Sequence, residues 1–239
     1  PGDRAGSNHI VGLGDVNGDG FGDWMLGAPY HSPLSENSGK VFLLLGRAGG
    51  YSPVFLLEEA DGSWVGQEAD DYLGEAIAGG GDVNGDGLMD FVIGHSERLE
   101  DLGGAVHLFF GRSEGWDHEA AVASSDVVLA RDASMDHGRS DWSLAFPGDL
   151  DGDGLADIVA LDGDAEWQEN TSDVAYIVLG RTTGWELVAS LADADASFWP
   201  GDPETVSWMM DSAAIGDLDA DGRDDLLVRG VNPHSAHVM

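Results

Sequence analysis

The sequence predicts an all-β protein built from repeats, and three observations support this prediction. A nine-residue acidic segment occurs four times, and its first aspartates are 67, 67 and 68 residues apart. The chain has 36 glycines, which require many tight turns and favour short strands over long helices. Each period contains about four short apolar runs separated by turn residues, and no convincing amphipathic helix.

The elements of a period follow one order, which the first repeat illustrates. An apolar run lies on each side of the acidic segment, and a second β-rich run, 41–45, ends in Gly46 and Arg47. An aromatic residue, Tyr51, leads into a further apolar segment at 54–57. Four strands per unit is the content of a propeller blade, so we expect a β-propeller of four-stranded antiparallel blades. The corresponding residues of the next repeats are Gly111, Arg112 and Trp116, then Gly180, Arg181 and Trp185.

The number of repeats predicts that the propeller is partial. We expect one domain over 1–239, with repeats at about 1–67, 68–134 and 135–202 and an incomplete fourth at 203–239. This corresponds to about three and a half blades, the last with only its first two strands. Either further sequence or a neighbouring subunit would then complete the ring, and a closed ring of four blades is the remaining alternative. Because residue 1 is a proline, we also expect a processed or truncated chain.

The acidic segments have the pattern of calcium-binding loops. Side-chain oxygens recur at positions 1, 3, 5 and 9, a backbone carbonyl at position 7 adds a fifth ligand, and glycine at position 6 permits the turn. Ca²⁺ takes six to eight oxygen ligands, so we expect four Ca²⁺ sites. The predicted ligands are Asp15, Asn17, Asp19, Phe21 and Asp23; Asp82, Asn84, Asp86, Leu88 and Asp90; Asp149, Asp151, Asp153, Leu155 and Asp157; and Asp217, Asp219, Asp221, Arg223 and Asp225.

Two other interpretations of these loops are less consistent with the sequence. Asp, Asn and Gly favour ordinary turns, but four loops in register with no ligand position lost favour a metal. An EF-hand loop needs a bidentate acidic residue at position 12. Position 12 is apolar in every repeat, so we expect calcium loops within β-hairpins. The residues at position 12 are Leu26, Ile93, Ala160 and Val228.

Around these loops the sequence resembles the FG-GAP repeats of integrin α-subunit propellers and their bacterial relatives. Gly27-Ala28-Pro29 matches the GAP element, and Tyr72-Leu73-Gly74 resembles the FG element with leucine in place of phenylalanine. Repeat 2 has Gly94-His95-Ser96 in place of GAP, and neither element is recognisable in the later repeats. The resemblance implies a seven-bladed ring with calcium on one face, ligand-binding loops on the opposite face and no catalytic residues.

Charge and composition restrict the partners. The formal net charge is −35, from 10 Lys and Arg against 45 Asp and Glu, which disfavours nucleic acid and anionic lipid. The chain has no apolar run long enough to cross a bilayer, so we expect no direct membrane insertion. It has no cysteine for a disulfide or a thiolate site. The expected partner is another protein or the missing half of its own propeller.

The predicted function is a calcium-binding scaffold for protein binding, adhesion or structure. Loops without an acidic position 12 suit millimolar calcium, which predicts an extracellular, cell-surface or periplasmic location. The alternative is a calcium-dependent, lectin-like propeller in which Tyr51, Trp116 and Trp185 stack on a glycan; blade packing is the favoured role of these aromatics. An enzyme is disfavoured, with no catalytic residue expected, because the sequence has neither an HExxH nor a GxSxG motif.

Overall fold

The computed structural model describes residues 9–95, 104–131, 142–163, 166–167, 170–171, 174–198, 209–230 and 236–238. Within these ranges the chain forms strands, turns and three single-turn 3₁₀-helices, and no α-helix. The 3₁₀-helices are Leu57–Glu59, Val122–Ser124 and Leu191–Asp193. None of the helices in the described ranges is long and apolar enough to cross a membrane.

The strands occur in the same order in each repeat, as the sequence predicts. In chain order they are β1 (Ile10–Gly14), β2 (Asp23–Ala28), β3 (Lys40–Leu44), β4 (Gly62–Val65), β5 (Ala76–Gly81), β6 (Asp90–His95), β7 (Ala105–Phe109), β8 (Ala120–Ala121), β9 (Val127–Ala130), β10 (Trp142–Gly148), β11 (Asp157–Asp162), β12 (Glu166–Trp167), β13 (Asn170–Thr171), β14 (Val174–Val178), β15 (Val188–Ser190), β16 (Ala196–Phe198), β17 (Met209–Gly216), β18 (Asp225–Gly230) and β19 (Ala236–Val238).

Four antiparallel sheets follow one another along the chain. The first three are four-stranded meanders with the orders β1-β2-β3-β4, β5-β6-β7-β9 and β10-β11-β14-β16, and the fourth contains β17-β18-β19. A short parallel strand from the next repeat extends two of them, because β8 pairs with β4 and β15 pairs with β9. A separate hairpin pairs β12 with β13. The all-β class and the four strands in each of the first three repeats are confirmed.

Two strands differ from the sequence expectation. The fourth strand of the first repeat is β4, and the apolar segment 54–57 is not a strand, since Val54 is 78% and Leu56 56% exposed. The reason is that β4 places Trp64 at 3% exposure against Phe91 and Phe109 of the next sheet, which buries more apolar surface. The fourth sheet has a third strand, β19, where the sequence indicated only two.

The sheets pack face to face in a row. The first strands β1, β5, β10 and β17 lie side by side in that order, and each interface has its own apolar cluster. This is the arrangement of neighbouring blades in a β-propeller. Within the described part of the chain, no comparable contact joins β17 to β1, so these four sheets do not close a ring.

Close glycine contacts explain why the FG and GAP elements occur together. A Cβ on Gly27 would lie 2.1 Å from the carbonyl oxygen of Gly74, so the two backbones touch where the first and second sheets meet. Leu73 is fully buried beside them. At the next interface a Cβ on Gly94 would meet Trp142 at 3.2 Å, and the Trp142 indole N–H donates to the His95 carbonyl at 3.1 Å. At this second interface Trp142 therefore makes the close contact.

Candidate metal centres

Each acidic loop connects the first and second strands of its sheet, and the aspartate at position 1 organises it. In the first loop Asp15 Oδ1 accepts the backbone N–H groups of Gly18 and Asp19 at 2.7 and 3.1 Å, and Oδ2 accepts that of Gly20 at 2.8 Å. The second and third loops repeat all three bonds. Glycine at positions 4 and 6 has positive φ in these loops, a conformation that disfavours a side chain.

The fourth loop departs from this pattern at position 4. Ala220 stands there in place of glycine and adopts a φ of 62°. The position 1 aspartate, Asp217, still accepts the N–H groups of Asp221 and Gly222, at 3.1 and 2.9 Å. The fold of the loop is therefore kept, at the cost of one residue with a side chain in the left-handed region.

Positions 3 and 5 bring further oxygen atoms to the same point. In the third loop, oxygens of Asp149, Asp151 and Asp153 lie within 4.8 Å of one another, and in the fourth those of Asp217, Asp219 and Asp225 do so. The first and second loops have asparagine at position 3, whose side-chain amide donates to the position 5 carboxylate at 3.0 and 2.9 Å. The position 5 carboxylate also accepts the backbone N–H of position 7 in every loop.

In the first three loops the position 9 aspartate is buried and connects its loop to the Gly-Arg segment. Asp90 is fully buried, with Oδ2 accepting the Val83 N–H and Oδ1 accepting the Gly111 N–H, both at 2.8 Å. Asp23 and Asp157 make the equivalent bonds. Burial is the main cause that raises the pKa of Asp90 to about 7 and that of Asp157 to about 6. Neighbouring carboxylates add to the rise, Asp86 and Asp82 at Asp90 and Asp151 and Asp149 at Asp157.

The donor set fits a hard divalent cation. All of the side-chain donors are oxygens, which are the ligands that Ca²⁺ takes. A carboxylate has about four lone-pair sites, of which the position 1 aspartate uses three and the position 9 aspartate two for backbone N–H groups. Carboxylate lone pairs that could bind an ion therefore remain at both positions. Buried carboxylates with raised pKa values are stabilised in the charged form by a cation. The assignment of the twenty residues as ligands, including the position 7 carbonyls, stays a prediction.

The structure gives the Gly-Arg segment a role that the sequence did not indicate. The glycine passes directly beneath the loop: a Cβ on Gly46 would lie 2.5 Å from the Gly22 carbonyl oxygen. The arginine lies over the recurring aromatic and pairs with an aspartate 14 residues later, as Arg47 does with Tyr51, at 4.3 Å from the ring centroid, and with Asp61 at 2.7 Å. The same set recurs as Arg112, Trp116 and Asp126, and as Arg181, Trp185 and Asp195. The repeated 14-residue spacing is the signal that sequence reasoning missed.

Histidines are buried between the first and second sheets, at the edge opposite the loops. His95 is 3% and His107 1% exposed, and their ring centroids are 5.0 Å apart. His107 Nδ1 is 2.9 Å from Ser125 Oγ, and His95 Nδ1 is 3.9 Å from Asp71 Oδ1. Burial lowers the pKa of both imidazoles; His95 lowers that of His107 further, while Asp71 opposes the shift at His95.

Comparisons with known proteins agree with this architecture. Residues 82–160 match the sequence model of the FG-GAP-like repeat. The chain is 30% identical to integrin alpha-4 of Xenopus laevis over 146 residues, and 27% identical to integrin alpha pat-2 of Caenorhabditis elegans over 204 residues; these alignments cover 60% and 77% of this chain. It is also 31% identical to phosphatidylinositol-glycan-specific phospholipase D of Rattus norvegicus over 157 residues, which is 63% of this chain.

The chain spans 13%, 15% and 18% of the lengths of these three relatives, in the order given. The shared part therefore corresponds to a limited segment of each relative. The acidic loops, the packed four-stranded sheets and the match over 82–160 agree with one another. Residues 82–160 of this chain therefore carry an FG-GAP-like repeat, and the chain is similar to integrin α-subunits.

Proposed function

We propose that this chain is a calcium-binding β-propeller segment that acts outside the cytoplasm as a scaffold for protein binding, adhesion or structure. The observation that carries the proposal is the repetition of one oxygen-lined loop at the same edge of four consecutive sheets. Four Ca²⁺ ions, one in each loop, would be held by the aspartates and asparagines at positions 1, 3, 5 and 9 and by the position 7 carbonyls. Bound calcium would neutralise the crowded carboxylates and fix the turn between the first two strands.

The exposed ends of the row support the proposal that further blades pack against it. Val16 and Val83 at position 2 are fully buried by the next sheet, whereas Leu218 at the same position of the fourth loop is 67% exposed. At the other end Phe21 is 42% exposed. The proposed partner is therefore another part of the propeller, from this chain or a neighbouring subunit. The proposed ring has seven blades, of which this single domain supplies about three and a half.

A protein partner is favoured over a glycan because the recurring aromatics are already engaged. Each arginine of the Gly-Arg segments covers its aromatic ring, at 4.3, 5.0 and 5.2 Å from the ring centroids. Trp116 and Trp185 also pack against the apolar clusters between the sheets. A glycan array with the calcium-loaded protein would separate the two classes of ligand, and the proposal expects no sugar binding.

A non-catalytic role is part of the proposal. One similar protein is a phospholipase D by name, but the chain spans only 18% of it. The conspicuous carboxylates of this chain are held by backbone N–H groups within the loops, so they are committed to loop structure.

The number of bound ions is the direct test. Calorimetry should give four Ca²⁺ per chain, and anomalous scattering from calcium-grown crystals should place them at 15–23, 82–90, 149–157 and 217–225. Fewer than three ions would overturn the proposal. A calcium dissociation constant below about 10⁻⁷ M, the range of cytosolic buffers and sensors, would contradict the extracytoplasmic location.

A further inference from the structure

Neighbouring acidic loops are joined through the Gly-Arg segments by backbone hydrogen bonds. The Val16 carbonyl of the first loop accepts the N–H of Arg112 at 2.8 Å, and the Val16 N–H donates to Asp23 at 2.8 Å. The residue before Arg112 is Gly111, whose N–H donates to the position 9 carboxylate of the second loop, Asp90. Position 9 of one loop is thus connected to position 9 of the next through consecutive peptide groups.

The same connection links the second loop to the third. The Val83 carbonyl accepts the N–H of Arg181 at 2.8 Å, and the adjacent Gly180 N–H donates to Asp157 at 2.8 Å. This series of hydrogen bonds, here called the relay, therefore joins the first three loops in chain order. It uses the same loop positions at each step.

A second backbone bond ties each loop to the next at the position 1 aspartate. Carbonyl oxygens of Asp15, Asp82 and Asp149 accept the position 8 N–H of the following loop at 3.1, 2.9 and 2.7 Å. The position 1 residue therefore presents its carboxylate to its own loop and its carbonyl to the next. At the last junction the carboxylate of Asp224 also accepts the Asp149 N–H at 2.9 Å.

These bonds involve the peptide groups that carry the candidate ligands. A cation that fixes positions 1 to 3 of one loop also fixes the carbonyls that receive position 8 and the Gly-Arg segment of the next loop. The second loop then loses less conformational entropy when it binds its own ion, and such a saving is a positive coupling free energy between the two sites. The coupling is strongest between adjacent loops because each loop contacts only its neighbours.

We propose that the loops bind calcium cooperatively along the row, with Gly111-Arg112 and Gly180-Arg181 as the elements that transmit binding from loop to loop. The inference rests on the proposed calcium function and adds that the occupancy of one loop changes the calcium affinity of its neighbours. Loss of the ion from one loop weakens calcium binding in the loops on either side, and weakens it less in a loop two steps away.

The test is a site-resolved calcium titration of the Asp86→Ala variant, which loses a position 5 carboxylate of the second loop. The amides of Gly20, Gly154 and Gly222 at position 6 report binding in the other three loops by heteronuclear NMR. At saturating calcium these three loops still fill, but the affinity of the first and third loops falls about fivefold, the low end of typical coupling. The affinity of the fourth loop falls less.

A matched pair of glycine variants separates coupling from local damage. A Cβ on Gly111 would press on Met89 O of its own loop at 2.7 Å and on Val16 O of the preceding loop at 2.9 Å. A Cβ on Gly46 would press only on its own loop, at the Gly22 carbonyl oxygen and Phe21. Gly111→Ala therefore disturbs a junction, and Gly46→Ala is the control.

In the Gly111→Ala background, Asp86→Ala should weaken the first loop less than it does without Gly111→Ala, while its effect on the third loop stays the same. Part of the coupling to the first loop remains because Met89 N–H still donates to the Asp15 carbonyl. In the Gly46→Ala background both neighbours should still respond. If Gly111→Ala does not fold, Gly180→Ala gives the converse result at the junction between the second and third loops. Unchanged affinities in the first and third loops of Asp86→Ala would overturn the coupling, whereas an absence of calcium binding by the unmodified chain would overturn the proposed function itself.

Discussion

The two edges of the sheets are built on different principles. At the loop edge every repeat uses the same backbone-to-carboxylate hydrogen bonds, and the carboxylates at positions 1 to 5 are open to solvent. At the opposite edge the buried polar groups differ from one interface to the next. His95 and His107 lie between the first two sheets, whereas Arg131 and Asp162 join the second and third, with Nε and Oδ2 2.6 Å apart.

This difference indicates which solution condition controls each edge. The loop edge concentrates negative charge that a dissolved cation can neutralise, so under the proposed function its stability should depend on calcium concentration. The opposite edge excludes solvent, since Arg131 is 1% exposed and Asp162 fully buried, so its stability depends on internal charge pairing and on the protonation of histidine. Changes in calcium or in the loop backbone should therefore act at the loop edge. Changes in pH or in the buried charges should act at the opposite edge of the same interfaces.

Removal of calcium should have the largest effect. Binding to the folded state alone adds about 2.7 kcal/mol per site when free calcium is 100 times Kd, and four loops are available. Chelation with EDTA should therefore lower Tm clearly in differential scanning calorimetry, and added calcium should restore it. Equal Tm values with and without EDTA would mean that the loops are ordinary turns.

Breaking the buried ion pair at the opposite edge should be the next largest effect. Arg131→Met leaves the Asp162 carboxylate buried without its arginine, and removal of one partner of such a pair costs about 3–5 kcal/mol in the free energy of unfolding. Urea unfolding in saturating calcium measures this loss. The double variant Arg131→Met/Asp162→Leu should recover most of it, because both charges are then gone; a double variant no more stable than Arg131→Met would contradict the pairing.

The histidine pair predicts a loss of stability in mild acid. The pKa values of His95 and His107 are lowered in the folded state, so their neutral forms are favoured there, and the unfolded chain binds more protons below its own histidine pKa near 6.5. Stability is therefore complete above about pH 6.5 and falls below it, by about 1.4 kcal/mol per pH unit for each histidine.

Asp71, the acidic group that faces His95, opposes this loss and does not reverse the lowered pKa. Unfolding in saturating calcium between pH 7 and 5 should show the decline. The variant His95→Gln/His107→Gln is the control for the loop carboxylates, and its stability should decline less steeply over this range. Equal slopes in the two proteins would assign the decline to other groups.

The smallest expected effect concerns the fourth loop. Ala220→Gly removes a side chain from a backbone with a φ of 62°, and should stabilise the protein by about 1 kcal/mol. Calcium affinity at 217–225 should rise with it, as measured by the Gly222 amide. The reverse change at the matching position of the third loop, Gly152→Ala, should weaken that loop. No change in either variant would show that position 4 does not limit the loop.

The acidic loops, the all-β class and the order of strands within a repeat follow from the amino-acid sequence alone. The hydrogen bonds within a loop join residues at most seven positions apart, such as Asp15 to Gly20 and Asp23 to Val16, so their pattern is visible in the residue types. The apolar runs on either side of each loop are equally local, and their alternation with turns is enough to predict β1 and β2.

The way in which the repeats meet depends instead on contacts between distant parts of the chain. The Arg131–Asp162 pair, the contact of Gly27 with Gly74, the pairing of β8 with β4 and the relay from Val16 to Arg112 all join residues about 30 to 100 positions apart. No short pattern marks such a partner, because the requirement is a close approach of two surfaces and not a local conformation. The choice of β4 over the apolar segment 54–57 has the same cause, since Trp64 is buried only once the second sheet is in place.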